Sequence, residues 1–193
     1  MVGSAALTLA VGLVTALGSG TAFATKHKGS IPTGTVSCTS ITGTVTFKPP
    51  LTLTGTSPET ASSKTTFSGC TASNKSVTVT GGTSKAPVAV SSNSCTGLEG
   101  GGSSTAAISF DIAWSPKTAG KTVISFSGDT ETNSSSGDAG FNLTGGTAVG
   151  SFAETNKATG VAYTNETETA LGAACSSSKG LASITIASGT LNA

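Results

Sequence analysis

From residue 35 onward the chain repeats short Thr- and Val-rich runs, each closed by Gly, Pro, Asn or Ser. β-Branched residues fit a pleated surface and lose side-chain freedom in a helix. Strand-like runs are read at 35–38, 42–47, 51–54, 64–69, 76–81 and 87–92, and again at 106–114, 121–128, 140–145, 148–153, 160–165 and 182–191. Only "NETETALGAACSSSKG" has helix-like content, and its Gly, Thr and Ser limit it to one short helical turn at most. Many short strands with frequent turn signals predict an all-β fold, an antiparallel β-sandwich, with a closed β-barrel as the alternative. A parallel sheet would need crossover helices, and the sequence has none.

The clearest hairpin is "ISFDIAWSPKTAGKTVISFSG". Period-two alternation puts Ile108, Phe110, Ile112 and Trp114 on one face, and Ser109, Asp111, Ala113 and Ser115 on the other. Pro116 presets φ at the turn, and Gly120 permits a positive one. On the return strand Thr122, Ile124 and Phe126 share a face. Trp114, the one tryptophan, is therefore expected in the core rather than on a ligand platform.

The first residues read as an address. "SAALTLAVGLVTALG" is a continuous apolar run, and "TAFA" follows with small residues at Ala22 and Ala24. That is the pattern of a cleaved secretory signal, shorter than the ~20 residues of a membrane span. The expected organisation is a signal peptide at 1–24, a flexible basic arm at 25–33 and a single β domain at 34–193. No later run is long and apolar enough to span a bilayer. Cys38, Cys70, Cys95 and Cys175 all follow the cleavage site, and an even count in an exported chain reads as two disulfides. Of three connectivities, the sequential one, Cys38–Cys70 with Cys95–Cys175, is favoured. A zinc site would need paired C-x-x-C spacing or histidine partners, which are missing.

Charge narrows the chemistry. Ten lysines and nine carboxylates, with no arginine, give a formal net charge of +1. This argues against nucleic-acid or phosphate recognition, which favours the guanidinium fork and a strong positive field. The one histidine, His27, falls in the arm, so Ser-His-Asp and Cys-His systems lack a positioned base. A glycosidase would need two carboxylates across a groove. The candidates are Glu59, Glu99, Asp111, Asp129, Glu131, Asp138, Glu154, Glu166 and Glu168, all expected as solvated surface charge.

Three weaker features stand out. "GDTETNSSSGDAG" gathers Asp129, Glu131 and Asp138 in what reads as one polar loop, but its spacing matches no calcium-binding pattern. Tyr163, in "GVAYTN", is the best candidate for an exposed aromatic, and Asp111 belongs to the wet face of its strand. Asn74, Asn133, Asn142 and Asn165 lie in N-x-Ser/Thr sequons.

Several segments together resemble a group of uncharacterised secreted actinobacterial β-proteins. They are "SCTSITGTVTFKPPLT", "FSGCT", "SNSC", "DIAWSPKTAGKTVISFSG", "LTGGTAVGSFAET" and the terminal "ASITIASGTL". The resemblance implies a signal peptide, two disulfides and an all-β fold, and it carries no activity. The composition also resembles the small chromoprotein carriers, exported immunoglobulin-like sandwiches with two disulfides. The expected function is that of a secreted, non-enzymatic β-protein without cofactor or metal, in a binding, envelope-associated or structural role. The alternatives are an extracellular small-molecule carrier and a carboxylate-based glycosidase. The partner would be a cell-envelope component or a small-molecule ligand.

Overall fold

The computed structural model describes residues 31–90, 94–95, 103–104 and 108–193, with backbone alone at 59, 87–90, 103–104 and 131. The expected signal peptide, most of the arm with His27, and Glu99 lie outside the described residues. The compact unit runs from Ile31 to Ala193. Its strands are β1 (Val36–Leu51), β2 (Glu59–Ala72), β3 (Gly81–Val90), β4 (Ser103–Ser104), β5 (Ile108–Ser115) and β6 (Lys121–Phe126). They continue with β7 (Gly128–Asn133), β8 (Asp138–Gly150), β9 (Ala158–Thr167) and β10 (Leu181–Asn192), and helix α1 (Glu168–Ser176) lies between the last two.

The fold is all-β and antiparallel, but it is a closed barrel and not a sandwich. Around the ring the order is β1–β2–β3–β5–β6–β8–β9–β10, and β10 pairs back onto β1, so eight strands close on themselves. Each ring strand pairs with its neighbours in the chain, an up-and-down path. β7 continues β6 along β8, and β4 lies beside β7. The reason for the correction is strand length. The runs at 35–38 and 42–47 merge into the 16-residue β1, and those at 140–145 and 148–153 merge into the 13-residue β8. β1 holds one register with β2 from Val36↔Ala72 to Lys48↔Thr60. Long, coiling strands close a sheet on itself, whereas a sandwich is two separate sheets packed face to face. Coiling requires local relief. Where β6 passes into β7, Gly145 on the facing strand takes φ +60°, a left-handed conformation that glycine adopts without penalty.

Alternation puts apolar residues inside and Thr, Ser and Lys outside. Thr44, Lys64, Lys85 and Thr185 are exposed on neighbouring strands, whereas Ile112, Ile124, Phe126 and Ile184 are buried. A barrel facing lipid shows the reverse arrangement, with an apolar outer band. Among the described residues no helix is long and apolar enough to cross a membrane.

One end of the barrel is sealed. Trp114 is buried at 3% exposure, and its ring meets Phe67 at 6.2 Å and Phe152 at 6.3 Å between centroids. Its indole N–H donates to Thr122 Oγ1 at 2.7 Å, and that hydroxyl donates onward to the Ser151 carbonyl. Gly82 faces Trp114 across the β3–β5 ladder, where an added Cβ would sit 2.7 Å from the ring. Gly82→Ala is therefore expected to cost about 1–3 kcal/mol by overpacking, read as a lower urea midpoint at unchanged slope. Below the rings, Phe152 N–H donates to the Pro32 carbonyl at 2.9 Å, and Val36 and Ala193 exchange a pair of backbone bonds.

At the other end α1 runs longer than the single turn expected from the sequence. The Thr167 side chain caps it by accepting from Ala170 N–H at 3.2 Å. Leu171 and Cys175, four apart, are its buried residues. Cys175 bonds Cys95, whose N–H donates to the Thr52 carbonyl at 3.0 Å. The other bridge joins Cys38 to Cys70, which face each other across β1 and β2. Both bridges follow the sequential pairing.

Candidate functional site

Among the described residues the β3–β5 ladder is one of the two shortest around the ring. It runs from Gly81↔Ser115 to Ser84↔Ile112 and stops there. Beyond it, among the described residues, Lys85–Val90 pair with β2 alone and Ile108–Asp111 with β6 alone. Two described strand edges are therefore left unpaired towards the α1 end, and the space between them is the candidate for a lateral mouth. The sequence favours the parting locally. Pro87, in the diverging part of β3, has no N–H to donate across the gap.

Alternation decides what faces into this mouth. On β3, Ser84 and Ala86 point in and Lys85 points out. On β5, Ile108 and Phe110 point in and Asp111 points out. On β2, Ala61 and Ser63 are buried while Lys64 is exposed, and Val45 and Phe47 of β1 pair opposite Ser63 and Ala61. Val45, Phe47, Ile108 and Phe110 pack on the core yet keep part of their surface uncovered. Phe110 meets buried Phe126 edge-on, with centroids 6.2 Å apart. The inner wall is thus apolar, with a strip of hydroxyls on β2 and β3. Ser63 Oγ donates to the Ala86 carbonyl at 3.4 Å. Ser84 Oγ, in a residue 3% exposed, has no hydrogen-bond partner.

Comparison with protein families, curated proteins and solved structures finds no match. The reading of the site therefore rests on this geometry.

The residues singled out in the sequence do not assemble into one site. Asp111 is on the outer wall, where its carboxylate lies 3.6 Å from Lys121 Nζ with both side chains more than half exposed. Such a pair adds little to stability. Tyr163 is half-buried on β9 and lies against Gly140 of β8. "GDTETNSSSGDAG" is a hairpin rather than a loop: Asp129 pairs with Leu143 and Glu131 with Phe141, both within the β7–β8 ladder. Asp138 closes the turn, its carboxylate accepting from the Ser134 and Ser136 hydroxyls. Glu154 lies in the β8–β9 connection, Glu166 at the end of β9 and Glu168 in the first turn of α1. The side chains of Glu59 and Glu131 are outside the described set. Among the described residues no three His, Cys, Asp or Glu side chains gather as a metal site.

A second concavity lies at the lip of the sealed end. It is a groove of about 250 Å³ lined by Thr35–Ser37, Thr155, Lys157–Thr159, Asn192 and Ala193. Its lining comes mainly from strand ends and small polar side chains, without an aromatic. The mouth between β3 and β5 has the apolar wall and the unsatisfied polar atom, the usual makings of a ligand site.

The residues of the mouth were missed because the strand-like runs at 76–81 and 87–92 straddle Ser84. "GGTSK" between them reads as a connection, whereas Gly81–Val90 is one strand. The available signal was the alternation Gly82, Ser84, Ala86 against Thr83 and Lys85, a strand whose inward face is small.

Proposed function

We propose that this is an exported binding protein that carries a small apolar molecule in its barrel, entered between β3 and β5. The observation carrying this reading is the contrast between the two ends. Trp114, Phe67 and Phe152 are buried in ring contact at one end, while Val45, Phe47, Ile108 and Phe110 face inward at the other and remain partly uncovered. Eight strands enclose an interior that side chains can fill or that can hold one small ligand. Partly wet, inward-facing hydrocarbon where the described β3–β5 ladder ends favours the second use.

Export rests on the apolar N-terminal run with its small-residue site, and the two disulfides accord with it. Of the described carboxylates, Asp111 lies beside Lys121 and Asp138 closes a turn.

The test is a fluorescence titration with the neutral apolar probe N-phenyl-1-naphthylamine. Saturable binding at one site per chain is expected. Ile108→Asp should weaken it at least about tenfold, because a carboxylate replaces apolar contact surface. Val149→Asp, on the outer wall at 68% exposure, should leave binding unchanged. Absence of saturation, or equal effects of the two substitutions, would remove the carrier reading.

A further inference from the structure

We infer that Ser84 is the polar anchor of the mouth, and that its ligand is a largely apolar molecule with one hydrogen-bonding group. The inference rests on the carrier reading above and adds the chemical class of the ligand.

Three observations carry it. First, the inward side chains described around the parting strands, Ala61, Ala86, Ile108 and Phe110 among them, are apolar. An apolar ligand body seated against them gains by leaving water. Of the charged side chains described in this region, Lys64 beside Ser63, Lys85 beside Ser84 and Asp111 beside Phe110 alternate outward. Second, Ser84 stands at the last pair of the β3–β5 ladder, at the foot of the gap and opposite Ile112. Third, its Oγ is a buried hydroxyl with no hydrogen-bond partner. Such an atom costs stability in the folded protein, and native interiors rarely leave one unmatched. A ligand oxygen or nitrogen arriving between the strands would satisfy it. Ser63, one strand away, already donates to Ala86, so the vacancy belongs to Ser84.

Among the described residues the strand edges above Ser84 pair on one side only, so this part of the wall opens at less cost than the fully paired part. Opening by one residue pair brings Oγ to the mouth. An apolar body would then lie along Ile108, Phe110, Val45 and Phe47, with its polar group turned inward to Ser84.

The experiment uses two nearly isosteric probes, 2-naphthol and 2-methylnaphthalene, against the full domain and its Ser84→Ala and Ser63→Ala variants. Ser84→Ala should weaken 2-naphthol about tenfold, the usual scale for one buried hydrogen bond. The same variant should change 2-methylnaphthalene by less than twofold, and Ser63→Ala should leave both probes within twofold. Removing an unsatisfied hydroxyl should not lower the thermal midpoint of ligand-free Ser84→Ala, which separates loss of an anchor from loss of the fold. Equal losses for the two probes, or no loss for either, would overturn the anchor while leaving the carrier reading in place. Failure of both probes to bind the wild-type protein would overturn the carrier reading itself.

Discussion

Trp114→Ala should destabilise the protein by about 3–5 kcal/mol, the range for deleting a large buried aromatic. The indole is the keystone of the sealed end. It contacts Phe67 on β2 and Phe152 after β8, and it covers Gly82 on β3, so one side chain ties together strands from around the ring. Gly82 and Phe152 cannot move in to fill the space without breaking the β3–β5 ladder or the Phe152–Pro32 backbone bond. Trp114→Phe is expected to cost less, about 1–2 kcal/mol, because ring contacts remain while the bond to Thr122 is lost. Thr122 would still donate to Ser151, so it is not orphaned. Since both variants lack tryptophan, unfolding should be followed by far-ultraviolet circular dichroism in urea. A loss under 1 kcal/mol for Trp114→Ala would place the ring outside the load it is assigned here.

The second large effect concerns the two bridges. Replacing Cys95 and Cys175 together by serine should remove about 4.5 kcal/mol on the chain-entropy account, because 80 residues separate them. For Cys38 and Cys70, 32 apart, the same account gives about 3.7 kcal/mol. The structural consequences should differ more than the energies. Cys38 and Cys70 sit in a ladder that continues on both sides, so β1 and β2 remain paired without the bridge. Cys95 is linked to the rest through Thr52 and α1, and α1 buries only Leu171 and Cys175. Loss of the longer bridge should therefore loosen α1 specifically. Faster amide exchange across Glu168–Ser176, with β1 and β2 still protected, is the expected signature. Uniform acceleration over the whole domain would contradict it.

Some of this was legible in the sequence. Alternation from Ile108 to Phe126 fixes an inward face, and the structure buries Ile112, Trp114, Ile124 and Phe126 on it. The turn chemistry of Pro116 and Gly120 is realised, with Gly120 at φ +79°. Other parts depended on partners that no local pattern specifies. "GDTETN" is polar on both faces, so its strand character appears only when β8 pairs with it. Sandwich and barrel share the same alternation. They separate through strand length, and β1 runs unbroken through Gly43 and on to Leu51 although the sequence suggests interruption. Helix α1 draws on a cap and a disulfide rather than on propensity.

The mouth was the least legible feature. It exists because pairing stops at Ser84↔Ile112, a property of two strands that are far apart in the chain. Ser84 is one of several buried hydroxyls, with Ser63, Thr65, Thr122 and Thr164, and differs in that its Oγ is buried without a hydrogen-bond partner. Asp111, the wet residue of the hairpin, proved to be an ordinary outer-wall charge with a lysine beside it.

The central claim is that an apolar molecule enters between β3 and β5. It is tested most directly by mapping amide chemical shifts while the protein is titrated with N-phenyl-1-naphthylamine. The predicted result is a saturating set of changes confined to Val45, Phe47, Ser84–Ala86 and Ile108–Phe110, with Trp114 and the outer-wall pair Val123 and Val149 unmoved. Changes centred on Val123 and Val149, or on the groove around Lys157, would contradict the account.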